Sequence, residues 1–297
     1  MPLHAGAYSP PGVSSLARVR RAVLRWYAGQ ARDLPWRRTR DPYAVLVSEV
    51  MLQQTQAGRV AGRFERFMAS FPTVEALAAA PPAAVLAEWS GLGYNRRAPA
   101  LQRTAREVAL HGWPNDVAGL HRLPGVGPYT ARAVASLAFG EAAGAVDTNV
   151  RRWLLRRFGQ PGSAAGLQAL ADGLARQACS PDEAATWTHA SMELGAVVCL
   201  ARRPRCGACP IAAACPSRDR AAHVPVRRQP PFGGSMRQRR GGLIRALSNA
   251  PCHELPMASA RTAIGAHGFD RIVAGLERDG LVSRAGGVLR LGQAGRG

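Results

Sequence analysis

Leu123-Pro124-Gly125-Val126-Gly127-Pro128-Tyr129-Thr130-Ala131 joins two stretches whose apolar residues recur at helical spacing. Gly125 and Gly127 lack a Cβ, so the backbone between the helices can turn tightly and approach another surface closely. A helix opening at Pro128 or Tyr129 directs unpaired amides and its positive end toward that gap. The product is an anion site of the size and polarity of a phosphate. A bare Gly-x-Gly turn also fits an ordinary helix connection; the surrounding Leu-Pro and Pro-Tyr-Thr-Ala, and Asp147 about twenty residues on, make this one more specific.

Outward from the hairpin the chain reads as helix after helix. Residues 14–28 carry Leu16, Val19, Val23, Leu24 and Tyr27 on one face. After the loop Leu34-Pro35-Trp36-Arg37, periodicity resumes at Tyr43 and holds to about Cys199. It predicts helices over Arg59–Ala69, Thr73–Ala80, Ala98–Leu110, Tyr129–Phe139, Asn149–Phe158, Ala164–Gln177 and Asp182–Val198. Alternating Val/Ile/Thr runs are nearly absent before residue 280, so the main body is expected to be all-α. The predicted organisation is a flexible N-terminus (1–13), a helical domain (14–198), a cysteine loop (199–216), a Pro/Arg/Gly-rich linker (217–238) and a small C-terminal module (239–297). Helical stretches at Gly242–Leu247, Ala258–Ile264 and Phe269–Asp279, closed by two short strands within 280–291, suggest a winged-helix-like module.

Cys199, Cys206, Cys209 and Cys215 leave six, two and five residues between them. Four thiolates in so short a loop fit a [4Fe–4S] cluster, one cysteine per iron. A structural zinc site is the rival, but it usually presents two close pairs, and only Cys206/Cys209 is close. Cys179 and Cys252 lie apart and read as packing residues. Arg202, Arg203 and Arg205 within the loop suit either phosphate contact or a solvated face.

The chain of 297 residues carries a net charge of +20 and contains no lysine. An excess of cation on that scale points to a polyanionic partner, nucleic acid before acidic membranes or proteins. The amino terminus lacks a secretory-signal layout and no apolar run reaches membrane-spanning length, so a soluble cytoplasmic protein associated with the nucleoid, with reduced thiols, is expected.

The hairpin, Val146-Asp147-Thr148-Asn149-Val150 and the cysteine spacing resemble the helix-hairpin-helix DNA glycosylases. Within them, Leu34-Pro35-Trp36-Arg37, Ser48-Glu49-Val50-Met51-Leu52-Gln53-Gln54-Thr55-Gln56, Gly91-Leu92-Gly93-Tyr94 and Met192-Glu193-Leu194-Gly195-Ala196 are similar to the adenine DNA glycosylases, the MutY type. The resemblance spans about residues 18–216. It implies a two-lobed all-α fold with a [4Fe–4S] loop, in a monomer that acts on double-stranded DNA bearing mispaired adenine and hands an abasic site to a downstream enzyme.

Breaking the bond between adenine and deoxyribose needs a proton for the leaving base and an anion for the cationic sugar, the logic of paired carboxylates at a glycosidic bond. Glu49, among Val47, Val50 and Met51, is expected to be the neutral acid, and Asp147, at a helix start, the anion. By residue type alone, Glu49 also fits a part-exposed helix position and Asp147 a plain helix cap. The resemblance adds Tyr129 and Asn149 to the catalytic set. It assigns Trp36, Arg37, Leu52 and His189 to the base pocket, and Gln54, Thr55, Tyr94, Leu123, Gly125, Val126 and Gly127 to DNA contact. Flipping the base out of the stack requires something to fill the gap, and Tyr94 supplies a ring.

Tyr129 occupies the place where bifunctional relatives such as endonuclease III carry a lysine nucleophile. Because a Schiff base requires an amine and this sequence has no lysine, a monofunctional glycosylase is expected. The chain departs from the family pattern at His189, where Gln or Glu is common, at Tyr94-Asn95 in place of paired tyrosines, and in residues 239–297, too few for the nucleotide-hydrolase-like domain of many members. The pattern leaves open whether 8-oxoguanine or guanine is preferred opposite adenine. Two alternatives stand beside this reading: the same fold acting on another base, such as thymine in G·T, and a non-catalytic DNA-binding iron–sulfur protein.

Overall fold

The structure is a computed structural model that describes residues 11–159, 162–218 and 231–292. Residues 1–10 of the expected flexible terminus and 219–230 of the expected linker lie outside the described residues. The chain divides into two compact units. The first comprises Met1–Leu46, Pro114–Arg122 and Val126–Arg227, the second Val47–Trp113, Leu123–Gly125 and Arg228–Gly297.

In chain order the helices are α1 (Val13–Gln30), α2 (Pro42–Leu52), α3 (Ala57–Ser70), α4 (Val74–Ala79), α5 (Pro82–Trp89), α6 (Arg97–His111), α7 (Val117–Arg122), α8 (Pro128–Phe139), α9 (Thr148–Phe158), α10 (Ala164–Ala175) and α11 (Pro181–Glu193). After the cysteine loop come α12 (Met236–Asn249), β1 (Glu254–Pro256), α13 (Met257–Ile264), α14 (Phe269–Arg278), β2 (Val282–Ala285) and β3 (Val288–Leu291). The fold is all-α apart from the small sheet formed by these strands.

The first unit is built on α1 and α7–α11. Side chains of Asp147, Ser163 and Ser180 accept from backbone amides at the starts of α9, α10 and α11, which fixes where each begins. Its core gathers Leu16, Val19 and Val23 of α1 with Trp153, Leu154, Leu170, Leu174 and Trp187. Trp153 and Trp187 meet edge to face at 6.3 Å. Bare glycine Cα atoms permit two close approaches. A Cβ on Gly144 would sit 2.6 Å from the Ala171 carbonyl carbon, and one on Gly195 would sit 2.6 Å from the Asn149 oxygen. The first fixes the strand of chain leading to Asp147 against α10, the second the start of α9.

The second unit packs α3, α4, α5 and α6 around Phe67, whose ring meets Phe71 at 5.0 Å and Trp89 at 6.1 Å. Gln102, buried in α6, donates to the carbonyls of Leu77 (3.2 Å) and Ala80 (2.6 Å) at the end of α4. Helices α12–α14 form a local core of Leu243, Ile244, Leu247, Phe269, Ile272, Val273 and Leu276. The strands pair antiparallel in the order β1-β3-β2, so helix, strand, two helices and a hairpin follow one another as in a winged helix.

Four expectations change. Residues 239–297 do not stand apart but share the second unit with Val47–Trp113; α12 packs on α5, and Gly292 (φ +82°) runs against Pro82 and Ala83. Helix α12 starts at Met236, inside the stretch assigned to the linker, because Ser235 caps it. The helix expected to Val198 ends at Glu193 and continues to Val198 as a π turn. Cys179 and Cys252 are exposed and so are not core packing residues. The three-residue strand β1 carries too little alternation for its pattern to be seen.

Candidate active site and cysteine loop

In the second unit, Glu49 lies inside α2 and is 4% exposed, among the buried side chains of Val47, Val50 and Met51. The part-exposed position that its residue type allowed is not what the structure shows. Leu52, the last residue of α2, is half-buried. The backbone then turns through Gln54 at φ +56°, and the second expected DNA-probing position, Tyr94, stands at φ +47°. Left-handed backbone is uncommon for such residues and concentrates at functional positions. Tyr94 is 44% exposed, large for an aromatic ring. Thr55 donates its hydroxyl to the Gln53 carbonyl (3.3 Å).

One side chain that the sequence reading passed over holds this region together. Arg97 Nη1 donates to the carbonyls of Val50 (2.6 Å), Met51 (3.1 Å) and Gln53 (2.7 Å), and Nη2 to that of Gly93 (3.0 Å). Its guanidinium also lies 5.2 Å from the Trp89 ring centroid and 5.5 Å from that of Tyr94. A cation thus satisfies the open carbonyls at the end of the Glu49 helix and ties them to the Tyr94 loop. Burial pulls the Arg97 pKa down to about 10, still well above neutrality. The signal lay in Asn95-Arg96-Arg97, directly after Gly91-Leu92-Gly93-Tyr94.

Of the hairpin residues, Leu123 is half-buried and Gly125 has φ +84°, its Cα so near Ala100 that a Cβ would meet the alanine methyl at 3.0 Å. Thr104 donates to the Pro124 carbonyl at 2.5 Å. Gly127 differs from expectation. Its φ of −82° suits any residue, and nothing lies within 4 Å of where a Cβ would stand, so its glycine serves an open backbone and not the turn. Val126 is buried and its carbonyl is 3.1 Å from His121 Nδ1. Helix α8 opens at Pro128 after Gly127, with no side-chain cap hydrogen bond.

In the first unit, Asp147 is the N-cap of α9, accepting from the Val150 amide (2.6 Å) on one oxygen and from Asn149 Nδ2 (2.7 Å) on the other. Asn149 Oδ1 in turn accepts from Arg152 Nη2 (2.9 Å). Burial pushes the Asp147 carboxyl above its ordinary pKa, while these hydrogen bonds and the Arg152 charge favour its anion. Tyr129 is half-buried with its hydroxyl 3.8 Å from Met192 Sδ.

Trp36 is buried in a short 3-10 turn beside Arg37. Arg37 Nη2 donates to Glu193 (2.7 Å) and Nη1 to the Arg32 carbonyl (3.1 Å). Arg32 meets the same carboxylate with two bonds of 2.7 Å. Glu193 is fully buried; burial alone would raise its pKa, but the bonds and charges of Arg32 and Arg37 outweigh it and hold it at about 2.

His189, in α11, is half-buried. Burial, with the charges of Arg37 and Arg40 and against that of Glu193, pushes its pKa down to about 3. The imidazole is neutral in the folded protein and charged in the unfolded chain below about 6.5. Its contribution to stability is therefore complete above pH 6.5 and is lost as pH falls toward 3. Urea unfolding at pH 7 and pH 5 should show a loss of about 1–2 kcal/mol that His189→Gln removes; an identical loss in the variant would contradict this.

Cys199, Cys206, Cys209 and Cys215 line one cavity of about 30 Å³ together with Arg156 and Pro204. Two arginines of α9 hold the loop: Arg152 Nε donates to the Cys199 carbonyl (2.6 Å), and the cavity-lining Arg156 donates to the carbonyls of Leu200 (2.7 Å) and Ala201 (2.9 Å) and to Cys199 Sγ (3.4 Å). No three His, Cys, Asp or Glu side chains among the described residues are grouped to hold a single metal ion. Arg202, Arg203 and Arg205 are exposed.

Residues 47–169 match the family described as "HhH-GPD superfamily base excision DNA repair protein". A solved thermostable thymine-DNA glycosylase is 29% identical with a TM-score of 0.63, covering 69% of this chain and 97% of that one. An endonuclease III trapped as a covalent DNA intermediate shares the fold at 24% identity and a TM-score of 0.58, covering 70% and 98%. The class is thus a helix-hairpin-helix base-excision repair protein. Adenine DNA glycosylase of Mycobacterium tuberculosis is 40% identical over 278 residues, covering 88% of this chain and 89% of that protein. That of Mycolicibacterium smegmatis is 42% identical over 240 residues, covering 77% and 80%. The human enzyme is 43% identical over 222 residues, covering 70% of this chain, and the match spans 41% of the human protein. The chain belongs to the adenine DNA glycosylase family.

Proposed function

We propose that the protein is a monofunctional glycosylase that hydrolyses the N-glycosidic bond of adenine mispaired with 8-oxoguanine or guanine in duplex DNA. The observation that carries this reading is the pair of carboxyl environments: Glu49 buried within an apolar helix, Asp147 fixed by amide donors at a helix start. The reaction needs a proton on Glu49 and a charge on Asp147; burial raises the Asp147 pKa, and its amide donors and Arg152 act against that rise in favour of the anion.

In the proposed reaction Glu49 gives its proton to N7 of the flipped adenine. The bond from C1′ to N9 breaks, and its electron pair leaves on the base. Water then adds to C1′ and returns a proton to the Glu49 carboxylate, while Asp147 stabilises the cationic sugar. Asn149 and Arg152 orient Asp147. Tyr129 stands in place of a nucleophilic lysine, and without any lysine no side-chain imine forms.

The four thiols around one cavity fit a [4Fe–4S] cluster held by Cys199, Cys206, Cys209 and Cys215. Bound there, the cluster would cross-link the loop covalently and rigidify it; the α9 arginines already tie that loop to the Asp147 helix. The adenine substrate is supported by the relatives' identity, whereas the likeness to a thymine-DNA glycosylase supports thymine in G·T as the competing substrate.

Labelled duplexes bearing A·8-oxoG, A·G, A·C and T·G, incubated with the protein and split into samples with and without alkali, decide between them. Breaks are expected only after alkali and only at adenine. Breaks at thymine would replace the substrate, breaks without alkali would refute monofunctional action, and binding without base release would favour the non-catalytic reading.

A further inference from the structure

The second unit contains a groove of about 850 Å³ between α3 and α5 on one side and the end of α12 with His253 on the other. Its cations are Arg59, Arg63 and Arg66 of α3 and Arg245 of α12; its one acid, Glu88, is taken up by Arg66 at 3.1 Å. We propose that this groove binds the sugar-phosphate backbone of duplex DNA beside the Tyr94 loop, so that the C-terminal module serves as one wall of a DNA-holding surface.

Arg59, Arg63 and Arg66 recur at i, i+4 and i+7, so they share one helix face and span about 10 Å of axis. One DNA strand carries a phosphate per ~3.4 Å of rise, so a row of cations of that length faces about three phosphate steps of one strand. Arg63 is pre-set for such contact. Its Nη1 donates to the Ser90 carbonyl at 2.6 Å, and Nη2 lies where a Cβ on Gly91 (φ +95°) would approach to 2.7 Å. Among the described residues the Arg59 and Arg245 guanidinium groups make no hydrogen bond or ion pair, so both are available to a ligand. His253, at φ +58°, keeps a buried Nδ1 without a partner at the same groove. Ser90 and Gly91 line the groove, and the chain runs on from them within three residues to Tyr94, in the loop assigned to base extrusion. That continuity, which rests on the glycosylase reading, favours DNA over an acidic peptide.

The test is the salt dependence of binding to a fluorescent duplex without a mispair, for the full chain and for the double variant Arg59→Gln/Arg245→Gln. Two lost phosphate contacts should flatten the slope of log K against log salt by about 1.8, with binding about tenfold weaker at low salt. Both side chains are exposed, so the melting curve should not move. An unchanged slope would overturn the proposal. So would an oligoglutamate peptide that binds the wild type, fails on the variant and leaves the duplex slope intact, since the occupant would then be an acidic protein. Base release by the wild type on the mispair panel reads the enzymatic assignment separately, because the binding series contains no substrate.

Discussion

Glu49→Gln is expected to reduce release of adenine by about 10³-fold or more while duplex affinity stays within about threefold. The loss is large because the residue is assigned both halves of proton transfer, delivery to the leaving base and recovery from water. Glutamine matches a neutral glutamic acid in volume and keeps a carbonyl acceptor beside a donor group, but it has no acidic proton to give. At 4% exposure, between the buried Val47 and Val50, a change of shape would disturb α2, and an isosteric change should not. Unfolding free energies of variant and wild type should therefore agree within about 1 kcal/mol. Single-turnover measurement with enzyme in excess separates chemistry from binding. A variant retaining a tenth of wild-type activity would remove Glu49 from the acid role. A variant that binds the duplex poorly yet reacts normally when saturated would make it a structural residue.

The parts legible in the sequence are those in which the signal is local. Helix starts follow from Asp147, Ser163 and Ser180, the hairpin from Gly125, and the cysteine loop from its spacing. What escaped reading joins residues far apart in the chain. Glu193 meets Arg32 and Arg37 across more than 150 positions, and Arg97 reaches back to the end of α2 across more than 40. No periodicity marks such a pair, because either partner alone reads as an ordinary charged residue. Gly144 and Gly195 are similar cases: each is glycine because another segment's backbone lies within 2.6 Å of where a Cβ would be, and that segment's position is a tertiary fact. Gln54 and Tyr94 were found by resemblance, yet their positive φ angles give an independent physical reason to notice them. The Arg37 ion pair escaped reading for the same reason as Glu193: nothing beside Trp36 in the chain marks a partner more than 150 positions away, and that partner is a buried carboxylate.

Asp147→Asn separates the two functions that meet in one side chain. Asparagine is as good an N-cap as aspartate, and its Oδ1 can accept from the Val150 amide as the native oxygen does at 2.6 Å. The helix start, and hence α9, should persist. The charge does not persist, and the amide now faces Asn149 Nδ2, which donates to Asp147 Oδ2 at 2.7 Å in the native protein. Two donors cannot share that contact, so the Asn149 amide must turn, and its bond from Arg152 is lost with it. Base release should fall about 10²–10³-fold, the scale on which a pre-positioned electrostatic group acts on a charged transition state. Asp147→Ala supplies the contrast, because it removes the cap as well and should cost about 1 kcal/mol of stability beyond the same kinetic loss. The ordering that matters is rate against stability across the pair. If Asn restores full activity and Ala loses only stability, Asp147 is a cap and nothing more, and the sugar cation must be stabilised from elsewhere. If both lose the rate and Ala loses the more stability, Asp147 and the Asn149 contact it orients act in the reaction and not only as a helix cap.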